Sequence, residues 1–274
     1  MLEPMTEERF RETIYGKYKG HLDHVYALLR LAGRAVETYR NFTSTHYEAS
    51  LSLIFARAYK SYDSIRRLCE LASCEDAGVL LRNLLNLTAV TRWISRDPAS
   101  RAKRYLDWYW VSLKADAEKS PYRFPRLWLP TIQEHFEAVK SQFEYMDKKN
   151  RPKLVKHWYE PEVRSIRDLF EKVELKMQYE EAYTPLSSIE HSDINAFLAM
   201  TAQLTREGDE RPLEIHGDVF VPHYLRNAFQ YFADIFRICN KTIPLADGAE
   251  LNAIVEAGVK FYAIDMKRRG MTPL

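Results

Sequence analysis

The sequence predicts an all-α protein, a multi-helix bundle carrying one small β-hairpin and folded as a single domain over residues 1–274. Three observations lead there. Glycine is scarce, at nine in 274 residues, and strand-like alternation is almost missing. Apolar residues recur at helical spacing through long, proline-free stretches. A content of 46 per cent apolar residues can bury a substantial core, which suits about eight or nine helices around one centre.

The stretch that organises the rest is Ser73 to Pro98. Leu80, Leu84, Leu87 and Ile94 repeat at helical spacing, and Leu81, Leu85, Val90 and Trp93 widen the apolar surface until little of the circumference is polar. Such a helix belongs in the middle of a bundle. Ser73 with Glu75 and Asp76 marks its start, and Asp97-Pro98 its end. Before it, helices are expected over Thr6–Phe42, bent near Gly16 and Gly20, and over His46–Leu71. After it, Pro98 opens a fourth helix in the way proline favours the first turn. Ser120–Pro130, with three prolines and three aromatic residues, reads as a rigid loop packing its rings on the bundle.

A helix over Thr131–Lys149 follows, then a basic connection over Lys148–Lys156 and a short helix in EVRSIRDLFEKV. Helical pieces are expected over Tyr179–His191 and Asp193–Leu204. The hairpin is placed at Glu207–Pro222, turning at His216-Gly217-Asp218. Helices over His223–Lys241 and Asp247–Arg269 complete the pattern.

Lys and Arg number 40 against 38 Asp and Glu, so no global field draws the chain to nucleic acid or membrane. Local patches must do so. Cys69, Cys74 and Cys239 form no C-x-x-C pair, and no run of eighteen apolar residues occurs, so the expectation is a cytoplasmic protein with reduced thiols and no membrane partner. No glycine-rich phosphate loop, G-x-S-x-G or nucleotide fingerprint is present, and no cofactor is expected. His21 and His24 flank Asp23 at metal-ligand spacing, but a solvated helix face accounts for them better, and no metal is expected.

Two polar residues interrupt the central helix, Arg82 and Asn86, four apart on one face. Tyr183, Ser187 and His191 share another face by the same spacing. If the two faces meet, His191 offers a general base, Arg82 an anion clamp and Ser187 a proton donor. The same five residues equally make a structural hydrogen-bonded network that fixes helix packing. Residues 92–126 interleave nine basic and four acidic side chains with aromatic rings, a pattern that suits single-stranded nucleic acid or, more simply, a core with a charged outer face. Arg101 and Arg104 on that stretch, and Lys153 and Lys156 on the basic connection, are the candidate nucleic-acid contacts.

The segments LLRNLLNLTAVTRWISRDPASRAKRYLDWYW, HWYEPEVRSIRDLF and YTPLSSIEH, in that order, resemble a bacterial helical family known mainly as a domain of unknown function, over about residues 45–240. That family's central helix reads Arg-x-x-x-Glu, whereas this chain has Arg82 and Asn86, so a carboxylate is replaced by an amide. More distantly, the segments are similar to the HEPN superfamily, many of whose members act in toxin–antitoxin and antiphage systems. Members that cut RNA carry Arg-x4-6-His, and Arg211 to His216 is one such string, although it falls on the expected hairpin. The resemblance implies a defence or toxin-like effector acting on RNA. The alternative is a non-catalytic protein-interaction or scaffold module, binding a protein partner or a second copy, and whether the chain is an enzyme stays open.

Overall fold

The computed structural model describes residues 6–38, 45–190 and 218–270. Helix α1 (Glu7–Thr38) bends where expected, with non-helical backbone at Tyr18 between Gly16 and Gly20. Gly20 is required by packing, because a Cβ there would lie 2.7 Å from the Phe261 ring. Helix α2 (His46–Glu70) starts in a capping box: Thr45 Oγ1 accepts from the Glu48 amide at 3.2 Å, and Glu48 Oε2 accepts from the Thr45 amide at 3.1 Å. A tight corner with Ala72 at φ 50° leads to α3 (Cys74–Arg96). As its apolar surface predicts, α3 is buried around most of its circumference, from Ala77 and Leu81 to Trp93 and Ile94. Ser73 makes no side-chain cap bond, so its role is positional. Helix α4 (Pro98–Lys119) has Pro98 in its first turn and Asp97 accepting from the Ser100 amide at 3.4 Å.

The centre of the bundle is completed from far along the chain. Helix α9 (Val221–Thr242) packs against both α2 and α3 and buries Leu225, Phe229, Phe232 and Phe236, with Phe232 and Phe236 turned to α2. Phe232 stacks on Tyr62 with ring centroids 4.5 Å apart, and Phe55 meets Phe236 at 4.9 Å. Helix α10 (Gly248–Arg268), capped by Asp247, lies across α1 and α9. One continuous cluster of buried side chains runs from Ile14 to Tyr262.

Three expectations require correction. Of the hairpin expected at Glu207–Pro222, residues 207–217 lie outside the described residues, as does the helix expected over Asp193–Leu204, and its second strand is not a strand. Asp218–Phe220 forms a single 3-10 turn that runs straight into α9, which begins at Val221 with Val221 wholly buried, so these residues form no strand. The sheet instead pairs β1 (Glu144–Met146) with β2 (Pro152–Leu154), antiparallel, Tyr145 opposite Lys153. Its turn is made by Asp147, whose carboxylate accepts from the amides of Lys149 at 2.8 Å and Arg151 at 3.0 Å, with Asn150 in the left-handed region at φ 55°.

Consequently the helix expected over Thr131–Lys149 is shorter and earlier: α5 spans Trp128–Val139, followed by a 3-10 turn at Lys140–Gln142. The Ser120–Pro130 segment does not lay its rings on the core. Tyr122 is 82% exposed, Leu127 84% and Trp128 56%. Its prolines rather shape the bend between α4 and α5.

Past the hairpin come α6 (Ile166–Lys172), the single turn α7 (Lys176–Gln178), a π-helical turn at Tyr179–Tyr183 and α8 (Thr184–Glu190). Among the described residues no helix is long and apolar enough to cross a membrane.

Candidate functional site

Along α3, one row of residues meets the chain segment 172–187 in antiparallel order. Gly78 leaves room for Leu186, whose Cδ2 would be 3.0 Å from a Cβ at that position. Arg82 Nη2 donates to the Tyr183 hydroxyl at 3.0 Å, with its guanidinium carbon 4.5 Å from the centroid of the same ring. Arg92 Nη1 donates to the Val173 carbonyl at 3.1 Å and its Nε to Asp234 at 2.6 Å. Arg96 Nη2 pairs with Glu174 at 2.7 Å. Three arginines therefore fasten one segment to the central helix.

Of the five residues read as a possible catalytic set, Arg82 and Tyr183 are in direct contact. Asn86 lies one turn beyond Arg82 on α3, and its side-chain oxygen is buried and accepts no hydrogen bond among the described residues. Ser187 sits half-buried on α8, one turn past Tyr183. The direction of α8, with Leu186 against Gly78, carries Ser187 toward the start of α3 and away from Asn86. His191, Arg211 and His216 lie outside the described residues.

The basic candidates divide sharply. Arg104 is held by backbone: Nε donates to the Trp158 carbonyl at 2.6 Å, Nη1 to Gln142 at 2.5 Å and Nη2 to Glu160, with the guanidinium 4.4 Å from the Phe143 ring. Arg101 lies 3.4 Å over the Trp93 ring and bonds the Trp93 carbonyl at 3.0 Å and Glu162 at 2.8 Å. Lys153 and Lys156 are exposed at the hairpin, Lys153 at 3.3 Å from Asp147. His21 is buried, with Nε2 3.0 Å from Asp265, and Phe261 packs on both His21 and His24. Among the described residues no group of three His, Cys, Asp or Glu side chains is placed to hold a metal.

Within residues 92–126, read from the sequence as a stretch suited to single-stranded nucleic acid, the exposed group is not Arg101 and Arg104 but lies further along. Helix α5 packs chiefly on α4 and buries only Ile132 and Val139, while Trp110 stacks on His135 at 4.0 Å. The start of α4 packs on α2 at Ala102, and its far end with α5 makes an arm. At its tip Lys119, Arg123 and Arg126 are exposed and form no ion pair among the described residues, beside Tyr122, Leu127 and Trp128. The available signal was charge: no acidic residue occurs between Lys119 and Glu134.

The fold and these features define a helical protein with an arginine-fastened centre and an aromatic, basic arm. The chain belongs to a family of unknown function, DUF5677, whose model matches residues 48–210. No curated protein and no solved structure matches the chain.

Proposed function

We propose that this protein acts on single-stranded RNA, which it holds at the tip of the α4/α5 arm. The observation that carries this reading is the conjunction of three exposed cations that form no ion pair among the described residues, Lys119, Arg123 and Arg126, with the open rings of Tyr122 and Trp128. Cations that meet phosphates release counterions, and exposed rings provide faces on which unpaired bases stack. Lys153 and Lys156 extend the basic surface available to a strand.

Binding of a labelled 20-nucleotide RNA, followed by fluorescence anisotropy over a salt series, tests this. Wild type should show log K falling with log salt at a slope of about −2, as three phosphate contacts give, and Tyr122→Ala with Arg123→Ala and Arg126→Ala should weaken binding at least about 10-fold. An unchanged affinity in that triple variant removes the arm from the reading.

Chemistry on the bound strand is a separate question, resting on Arg82, Asn86, Tyr183, Ser187 and His191. Incubating a mixed RNA pool with wild type, His191→Ala and His216→Ala decides it. Cutting lost in one variant assigns the reaction to that histidine. No cutting by wild type under several metal and salt conditions leaves a binding protein and withdraws the catalytic set. The HEPN resemblance adds the wider reading of a defence or toxin-like effector, for which growth arrest on expression is the readout.

One observation favours the non-catalytic alternative. Leu127, an aliphatic side chain at 84% exposure, suits an apolar protein surface better than a base. Concentration-dependent association lost in Leu127→Ser, without loss of RNA binding, would select a protein partner or second copy.

A further inference from the structure

Of the half-buried arginines, Arg104 is held by three backbone carbonyls, and two others have acidic partners. Arg66 pairs with Asp63 and Glu70 at 2.7 Å each, and Arg101 with Glu162 at 2.8 Å. Arg226 on α9 departs from this pattern. It is 6% exposed, yet among the described residues no carboxylate stands within ion-pair distance. Its side-chain partners are neutral: Nη2 lies 3.2 Å from His223 Nδ1, and Nε donates to Asn227 Oδ1 at 3.3 Å. Asn227 Nδ2 is in turn 3.0 Å from His223 Nε2. Burial pushes the Arg226 guanidinium below its ordinary range; Tyr231 and then Asp265 oppose this from a distance, and the Asp265 Oδ2 is already engaged by His21 at 3.0 Å and Arg269 at 2.8 Å.

The cluster is also short of acceptors. Guanidinium only donates, a carboxamide donates twice from one atom, and a neutral imidazole accepts at one nitrogen only. His223 is neutral near pH 7, because burial first and Arg226 second push it down to about 4. Both of its nitrogens nevertheless face N–H groups, one from Arg226 and one from Asn227. Reversing the Asn227 amide corrects the second contact but turns the NH2 toward Arg226 Nε. In either orientation one donor points at another, beside a buried charge with no counter-charge. A group bearing several acceptor oxygens and negative charge removes both defects.

We infer that His223, Arg226 and Asn227 form an oxyanion site whose ligand is a phosphate group. It is separate from the arm and does not depend on the RNA reading.

Thermal unfolding of the full chain in phosphate-free buffer, with inorganic phosphate replacing chloride at constant ionic strength, tests the site. Saturating phosphate should raise the wild-type Tm by about 5 °C. Arg226→Met should raise Tm in chloride, because it removes an uncompensated buried charge, and should show no response to phosphate. The His223 ring resonances of wild type should shift with phosphate at fixed pH. Uridine 5′-monophosphate, run in parallel, separates the sources: a response at lower concentration than inorganic phosphate identifies a nucleotide, and equal responses identify the free oxyanion. A wild-type Tm and His223 spectrum indifferent to both ligands overturns the site. So does an Arg226→Met variant that keeps the response, or one that fails to fold, since the cation would then be structural.

Discussion

Arg82 and Tyr183 stand 101 residues apart in the sequence and meet at 3.0 Å, joining the central helix to the segment that crosses it. The contact has two parts, a hydrogen bond to the hydroxyl and a guanidinium over the ring. Tyr183→Phe removes the first alone and should cost about 1 kcal/mol, whereas Tyr183→Ala removes both and should cost about 3 kcal/mol. Urea midpoints of the two variants check the order.

Arg104 should tolerate replacement worst among the surface-proximal cations. Its fork satisfies carbonyls on both sides of the β-hairpin region, at Gln142, Trp158 and Glu160. Arg104→Ala leaves those acceptors without their donor and should destabilise by about 3 kcal/mol. Arg104→Lys should recover little, because an ammonium cannot reproduce a planar fork. Chemical denaturation of both variants, set beside Arg123→Ala at the arm tip as the near-neutral control, measures this.

Gly258 on α10 faces the Phe229 ring of α9, which an added methyl group would overlap. Gly258→Ala should therefore destabilise by about 1–3 kcal/mol, despite alanine's better helix propensity. Phe229→Leu, which shortens the obstructing side chain, should partly rescue Gly258→Ala in a double-mutant cycle.

Acid should weaken the fold through His223 before the carboxylates titrate. Its folded pKa is pushed down to about 4 from the ordinary 6.5, by burial and then by Arg226. Between those values the unfolded chain binds a proton that the folded chain refuses, so stability falls as pH drops from about 6.5 to about 4 and levels off below. The shift corresponds to about 3 kcal/mol. His21, also pushed down by burial though opposed by Asp265, adds a loss of the same sign. Denaturation curves at pH 7 and pH 4.5 should differ less for His223→Asn than for wild type.

The parts of the fold that the sequence announced are those whose signals are local and strong. Asp97-Pro98 separates α3 from α4 as read, and Leu81, Leu84 and Leu85 place α3 at the centre. The paired strands escaped notice because three residues each are too few for alternation to register, while Phe136, Val139 and Phe143 mimic a continuing helix. Arg82 stood out as a charge on an apolar face, yet its partner lay a hundred residues away and only packing could supply it. Arg226 did not stand out, since an arginine followed by asparagine on an amphipathic helix reads as solvated surface. Its burial comes from the neighbours α9 acquires on folding.

The packing of α9 onto both α2 and α3 separates two units that are easily conflated. The family model covers residues 48–210 and so includes α2 and α3 but not α9. In isolation that stretch would present to water the surfaces that Phe232 and Phe236 cover. On the ribosome the same holds in time: Leu51, Tyr62 and Leu85 await an element made more than 130 residues after Thr88, whose hydroxyl lies beside the Tyr231 carbonyl, |i−j| = 143. The portion of the chain that defines its kinship is thus not the portion that can mature alone, and a nascent protein truncated ahead of Val221 is a substrate for chaperones rather than a smaller working version.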